Sequence, residues 1–166
     1  FIMTAHNLLE TVAYHSQVKI IEGGETRFHS VKNGLNTIED LKAFVGIHDA
    51  ARPLVSIETL QRCFSTAKEK GNAIPVVSLS ESIRQVVGDS SIAEDRNRFR
   101  IVQTPQCFSV ELIKKAFEQE YSNLFTDDAT VAETTGLKIN LVEGNSENIK
   151  ITHPMDLIVA EALLEK

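Results

Sequence analysis

The sequence predicts an α/β domain of three layers, with a mostly parallel sheet between helices and one β-arm projecting from it. Three observations predict it. The short runs Ala43 to Ile47 and Ala73 to Val77 are almost wholly apolar, as strands are when helices cover both faces of their sheet. Between them, Ile57 to Lys70 repeats apolar residues at helical spacing, so strand and helix alternate along the chain. The period then changes: Ser82 to Val87 alternates, Gly88-Asp89 is a hairpin signal, and Arg98 to Gln103 alternates again.

Taken in order, residues 2–15 read as an amphipathic helix with Leu8, Leu9 and Val12 on one face. Val18 to Ile21 reads as a short strand closed by the turn signal Glu22-Gly23-Gly24. A helix opens at or near Thr26 and runs to about Glu39, with Phe28, Val31 and Leu35 as its buried stripe. The strand from Ala43 follows, and then the helix from Ile57, which Gly71-Asn72 ends. After the strand from Ala73 comes the arm, at about residues 79–103. Helices are expected near Ser109–Glu120 and Asp127–Thr135, and short strands over Ile139–Glu143 and Asn148–Ile151. Pro154, in a first helical turn, opens a last helix to Leu164.

A chain of 166 residues with 42% hydrophobic content supports a single domain with a proper core. The formal net charge of −6 argues against a nucleic-acid binder, which needs a basic surface, but leaves anionic small molecules open. No apolar run is long enough to span a bilayer, and the first residues do not form a signal peptide. Cys63 and Cys107 are far apart in sequence and in unlike contexts; a disulfide framework is not expected, and the reading is a reducing cytoplasm. Cys63 falls in the helical pattern of Leu60 and Phe64, where packing is its role. The chain begins at Phe1, which suggests that an N-terminal segment is missing.

The most informative stretch is Gly46-Ile47-His48-Asp49-Ala50-Ala51-Arg52-Pro53. A buried strand that ends this way delivers Asp49 and Arg52 to the carboxyl edge of the sheet, where open α/β folds bind ligands. The carboxylate suits a hydroxyl or a metal ion, and the guanidinium suits a phosphate. A mutual ion pair that merely shapes the turn is the competing reading, and such a pair at an exposed strand end adds little to stability. Arg52→Ala is therefore expected to affect turnover more than folding. His48 reads as a metal ligand or, in preference, as a satisfied histidine in a tight turn, and nothing else supplies zinc spacing.

Other segments are ambiguous singly. The turn Gly23-Gly24-Glu25-Thr26-Arg27-Phe28-His29-Ser30 is a helix cap or a place for backbone N–H groups to approach a ligand. Glu94-Asp95-Arg96-Asn97-Arg98, near the end of the arm, reads as a solvated charged tip unless a ligand requires it. Thr104-Pro105-Gln106 is a loop or a rigid active-site turn, and N-capping alone explains Thr126 or Asp127. Lys150 in a short apolar strand is costly unless it is exposed or paired with an anion.

In succession, Gly-Gly-x-x-Arg-x-x-Ser, His-Asp-Ala-Ala-Arg-Pro, Asp-Arg-Asn, Thr-Pro-Gln, Thr-Asp-Asp-Ala and Asn-Ile-Lys-Ile-Thr closely resemble the 2-C-methyl-D-erythritol 4-phosphate cytidylyltransferase family of the non-mevalonate isoprenoid pathway. The resemblance spans roughly Gly23 to the C terminus, and the same group contains ribitol-5-phosphate cytidylyltransferases. It implies a Rossmann-like nucleotidyltransferase fold and CMP transfer from CTP to a polyol phosphate, with Mg2+ carried mainly by the CTP phosphates. It further implies that Gly23, Gly24, Ser30 and Ala50 bind CTP, and that Asp49, Arg52 and Lys150 serve catalysis. Asp49 would bind the polyol hydroxyls or lie near the metal, and Arg52 would hold the polyol phosphate in a pocket completed by Thr104, Thr126 and Lys150. Ser82, where relatives usually have threonine, and Arg96 would reach a partner's site through the arm of a homodimer. The enzyme would be cytoplasmic, with no nucleic-acid or membrane partner.

Two departures stand out. Pro75 to Ser82 is longer than the usual segment, which unsettles the arm's register. The family's N-terminal Gly-rich loop, which wraps the CTP triphosphate, is not in the sequence, so the fragment as written is expected to be inactive.

Overall fold

A computed structural model describes residues 19–165. The chain divides into two compact units, Phe1–Glu39 and Asp40–Lys166. The helix expected over residues 2–15, with Leu8, Leu9 and Val12, lies outside the described residues, as does Val18. Lys19, Ile20 and Ile21 are exposed and without regular secondary structure, so the expected strand does not form over them. In this first unit Thr26 caps helix α1 (Arg27–Asn36), its hydroxyl accepting from the His29 N–H. Phe28 and Leu35 are buried as expected, whereas Val31 is half-buried.

The second unit carries the sheet. Its strands are β1 (Phe44–Ile47), β2 (Asn72–Ser78), β5 (Arg100–Val102), β6 (Gln106–Ser109) and β7 (Leu141–Glu143). A separate hairpin pairs β3 (Ile83–Val87) with β4 (Ser90–Glu94). Strand β6 lies between β1 and β2 and is antiparallel to both, while β7 pairs parallel with β2. Hence β1, β2 and β7 share one direction, the parallel set that alternation with helices predicts. The chain returning from the arm, β5 then β6, runs against them along one edge of β2, which makes the sheet mixed. Strand β1 is half-buried throughout rather than sealed on both faces.

Helices cover both faces of the sheet. Helix α2 (Ile57–Lys70) is capped by Ser56 and ends at Gly71, whose φ of 87° is the left-handed conformation that glycine takes without penalty. It buries Cys63 and Ala67 against Ala73 of β2 and Cys107 of β6. Side chains alternate along a strand, so Gln106 and Phe108 point to the face opposite Cys107. There Gln106 meets the start of α4 (Asp128–Glu133), accepting from the Ala129 N–H and donating to Asp127. Helix α3 (Val110–Ala116) packs beside α4, and α5 (Pro154–Leu164) closes the chain. The three layers are therefore α2, the sheet, and α3 with α4.

The two cysteines, distant in sequence, pack together as buried free thiols. Donation to Cys63 pushes the Cys107 thiol above the usual range, and burial adds to it.

Two further expectations need correcting. The arm's second strand is Ser90–Glu94, and Arg98–Gln103 instead rejoins the main sheet as β5, opposite Val76–Ser78. The charged run from Glu94 to Arg98 is thus at the base of the arm, and the tip is Gly88-Asp89, with Gly88 at φ 57°. Asn148–Ile151 is not a strand: its backbone is drawn across to the loop after β1, where the Ile151 N–H donates to the Ala51 carbonyl at 2.8 Å.

Candidate functional site

Strand β1 ends at Ile47 because the chain turns at once. The Arg52 N–H closes onto the Asp49 carbonyl at 3.0 Å, and Pro53 has no N–H with which to continue a ladder. Three loops meet over this turn: residues 48–56, the Gln103–Pro105 bend between β5 and β6, and residues 144–151.

Asp49 sits at the centre. Its Oδ2 lies 3.3 Å from Arg52 Nε and 3.2 Å from Lys150 Nζ, so two cations converge on one carboxylate oxygen. The side chains of Arg52 and Asp49 are 11% and 16% exposed and that of Lys150 48%, so the guanidinium is built in while the ammonium faces solvent. Arg52 is held further by Nη1 donating to the Asn148 carbonyl at 2.8 Å. Its position depends on a loop almost a hundred residues away in sequence, which is why the ion pair is more than a local turn device. Lys150 thus has an anion partner and an exposed head, the two conditions that make a lysine tolerable in an apolar segment.

Thr104 joins the cluster from β5–β6. The Asp49 N–H donates to its hydroxyl at 3.0 Å, and the same hydroxyl lies 2.9 Å from His48 Nδ1. The Thr104–Pro105 peptide is cis, and the Asn148 side-chain amide donates to the Thr104 carbonyl at 2.8 Å.

Sequence reasoning missed the amides that lock the loops together. Buried Gln103 donates to the Asn145 carbonyl at 2.9 Å, and Asn145 accepts from the Ser56 N–H while donating to the Leu54 carbonyl. Asn148 is fully buried and ties Thr104 to Arg52. The signal was present but unused: Gln103 and Asn148 each sit beside an apolar residue next to a motif residue, where a buried amide must find partners.

Ser82 and Arg96 line an open cleft of about 460 Å³ at the base of the arm, and an Arg96 Nη donates to the Ser80 carbonyl. Thr126 is exposed, with its hydroxyl 3.2 Å from that of Thr130; the α4 cap is Asp127. Ala50 is exposed in the turn beside Asp49. Gly23, Gly24 and Ser30 belong to the first unit, where the Ser30 hydroxyl accepts from the Gly24 N–H at 3.0 Å and donates to the Thr26 carbonyl. A Cβ on Gly24 would overlap the His29 side chain, so the close turn needs glycine there.

Among the described residues no three His, Cys, Asp or Glu side chains form a group able to hold a metal ion. Asp49 Oδ2 already faces two cations, and a third positive charge on it would meet repulsion. This donor set does not fit a resident metal. What it fits is an anion: Arg52 has five N–H groups, three of them in bonds to Asp49, Asn148 and Val102, which leaves two, and the exposed Lys150 ammonium has more.

The sequence profile described as IspD, 2-C-methyl-D-erythritol 4-phosphate cytidylyltransferase, matches residues 2–166. A relative of that name from Phocaeicola vulgatus is 46% identical over 158 residues, covering 95% of this chain and 72% of its own. One from Bacteroides fragilis is 52% identical over 145 residues, covering 87% and 66%. The crystal structure of the enzyme of that name from Thermus thermophilus superposes with a TM-score of 0.76 at 36% identity, over 87% of this chain and 72% of that one. The corresponding Francisella tularensis structure gives 0.80 at 35%, over 89% and 72%. The chain spans about two thirds of the length of the curated relatives it matches, between 66 and 72% for the two above. With a shared fold and a profile match over nearly its whole length, the chain belongs to the 2-C-methyl-D-erythritol 4-phosphate cytidylyltransferase family.

Proposed function

We propose that this protein transfers CMP from CTP to 2-C-methyl-D-erythritol 4-phosphate, giving 4-diphosphocytidyl-2-C-methyl-D-erythritol and pyrophosphate in isoprenoid biosynthesis. The observation that carries the reading is the convergence of Arg52 and Lys150 on Asp49 at the carboxyl end of β1, with N–H groups to spare. The donor of the new bond is a phosphate oxygen of the polyol phosphate, which attacks the α-phosphorus of CTP. The bond from that phosphorus to the β-phosphate oxygen breaks, and pyrophosphate leaves. An ionised phosphate is already nucleophilic, so the protein's task is to place it and to offset charge as the transition state forms.

Arg52 is the phosphate-holding group in this scheme, its planar fork fixed by the Asn148 carbonyl. Lys150 adds a mobile charge at the solvent face, and Asp49 keeps both cations aligned while accepting from polyol hydroxyls. Magnesium enters with the CTP phosphates as part of the substrate. Gly23, Gly24, Ser30 and Ala50 are the proposed nucleotide contacts, and Thr126 the proposed further wall of the polyol pocket.

Ser82 and Arg96 are proposed to act in the site of a second copy. The arm that bears them exposes Val86 and Ile92 at 77% and 54%, and a two-stranded hairpin is marginal without something to pack against. A homodimer through the arm supplies that surface. Among the described residues no helix is long and apolar enough to cross a membrane, and a cytoplasmic location is proposed with the pathway.

The test is pyrophosphate release by the full-length protein with CTP, magnesium and 2-C-methyl-D-erythritol 4-phosphate, run beside ribitol 5-phosphate. Turnover with the methylerythritol substrate supports the proposal. Preference for ribitol 5-phosphate would reassign the polyol, and inactivity with both, from a folded dimer, would refute the transfer reaction.

A further inference from the structure

We infer that His48 is a positioning residue, whose imidazole fixes the Thr104 hydroxyl on one side and the Arg52 carbonyl on the other and so sets the Asp49–Arg52 turn. This rests on the functional reading above, in which that turn holds the polyol phosphate.

The direction of each hydrogen bond follows from the chemistry of its atoms. His48 Nε2 lies 2.9 Å from the Arg52 carbonyl oxygen. A carbonyl only accepts, so Nε2 bears the proton. In the neutral ring Nδ1 is then an acceptor, and its neighbour at 2.9 Å is the Thr104 hydroxyl, which must donate to it. That hydroxyl has one proton. With it committed to His48, the oxygen is left to accept the Asp49 N–H at 3.0 Å. The Arg52 N–H in turn donates to the Asp49 carbonyl. The circuit runs from Asp49 through Thr104 and His48 to Arg52 and back to Asp49, and every donor in it has an acceptor.

Two consequences follow. Thr104 is buried with its proton turned toward His48, so it acts on the substrate through Asp49 rather than by donating to the phosphate itself. The family resemblance places Thr104 in the polyol-phosphate pocket, and here it shapes that pocket through Asp49. His48, by contrast, is exposed although both ring nitrogens are engaged, so its removal loosens the turn without opening the core. A loosened turn lets the Arg52 and Asp49 side chains drift by tenths of an ångström, and misplacement on the scale of 1 Å can cost about 100-fold in rate.

The experiment uses the full-length enzyme and its His48→Ala, His48→Gln and Thr104→Val variants, with the double variant His48→Ala/Thr104→Val. His48→Ala is expected to lower kcat by roughly 10- to 100-fold, with the KM for CTP and the melting temperature little changed. His48→Gln, which can still donate to the Arg52 carbonyl, is expected to recover part of the loss. The double variant is expected to lose no more than the worse single one, as residues acting as one unit do. Imidazole 15N shifts of the wild-type protein should show the Nε2–H tautomer. An active wild type whose His48→Ala variant keeps its kcat, additive losses in the double variant, or an Nδ1–H tautomer would each overturn the inference. A wild type inactive with both polyol phosphates would instead refute the functional reading and the catalytic part of this one, and the tautomer would still decide the hydrogen-bond circuit.

Discussion

The Lys150 ammonium lies 3.2 Å from Asp49 Oδ2, the same oxygen that faces Arg52. The lysine side chain is about half exposed, and an ion pair in such a setting is worth about 0–1 kcal/mol after solvent screening. The pair therefore adds little to the fold, and the proposed function assigns the lysine's charge to the ligand. Lys150→Ala is expected to reduce kcat by roughly 100- to 1000-fold, the scale for removing one donor to a developing charge. The melting temperature should move by no more than about 4 °C. Steady-state kinetics beside a thermal melt check both; a collapse of the melt with activity per folded molecule intact would make Lys150 a structural residue.

Arg52 is different, and here the structure revises an expectation drawn from sequence. The guanidinium is nearly buried and donates to the Asn148 carbonyl as well as to Asp49. Arg52→Ala removes a donor from the carbonyl of buried Asn148 and one of two cations from the half-buried Asp49 carboxylate, so it is expected to cost about 1–3 kcal/mol of stability in addition to activity. Arg52→Lys keeps the charge but loses the fork, and should recover stability better than turnover. Denaturant titration and kinetics on the two variants separate these effects.

Much of this site was legible in the sequence because its central feature is local. An apolar strand that ends in His48, Asp49, Arg52 and Pro53 within a few residues carries its own explanation, and the helices around it declare themselves by period and cap. What could not be read is what depends on distant partners. Ser90–Glu94 looks like a polar loop, and only pairing with Ile83–Val87 makes it a strand. Asn148–Ile151 has the composition of a strand, yet its backbone bonds cross to Ala51 and Arg52 instead of forming a ladder. The positions of Gln103, Asn145 and Asn148 have no meaning until the three loops are brought together. The pairing of Cys63 with Cys107 is invisible until α2 lies on β6.

Gly144 tests how tightly those loops are fastened. It is buried, its N–H donates to the Val76 carbonyl at 2.9 Å, and a Cβ built on it would overlap Gln103 Oε1. Gln103 cannot swing aside without giving up its bond to the Asn145 carbonyl. Gly144→Ala is therefore expected to destabilise the protein by about 1–3 kcal/mol, as overpacking does. Shortening the obstacle, in Gly144→Ala/Gln103→Ser, should restore part of the steric loss while forfeiting the amide's hydrogen bond. Urea unfolding of the single and double variants gives the comparison; a neutral Gly144→Ala would mean that the Gln103 side chain has room to move.

The last helix carries a pH-dependent contribution. Asp156, in the first turn of α5, accepts at Oδ2 from the backbone N–H groups of Thr152 and His153, each at 2.8 Å. These bonds, that from Thr152 first, hold its carboxyl below the usual carboxylate range. The sign follows from linkage: the folded state binds the proton more weakly than the unfolded chain. The stabilisation is thus complete above the ordinary aspartate pKa of about 3.9 and is lost as the pH falls below it, through the lower folded value. Wild-type protein and Asp156→Asn should therefore differ in stability above about pH 5, and converge as the pH is taken below about 4. Amide exchange at Thr152 and His153 gives the local readout, with protection in the wild type falling toward that of the variant over the same range. A gap that stays unchanged down to about pH 3 would show that the carboxylate's charge contributes nothing to the helix start.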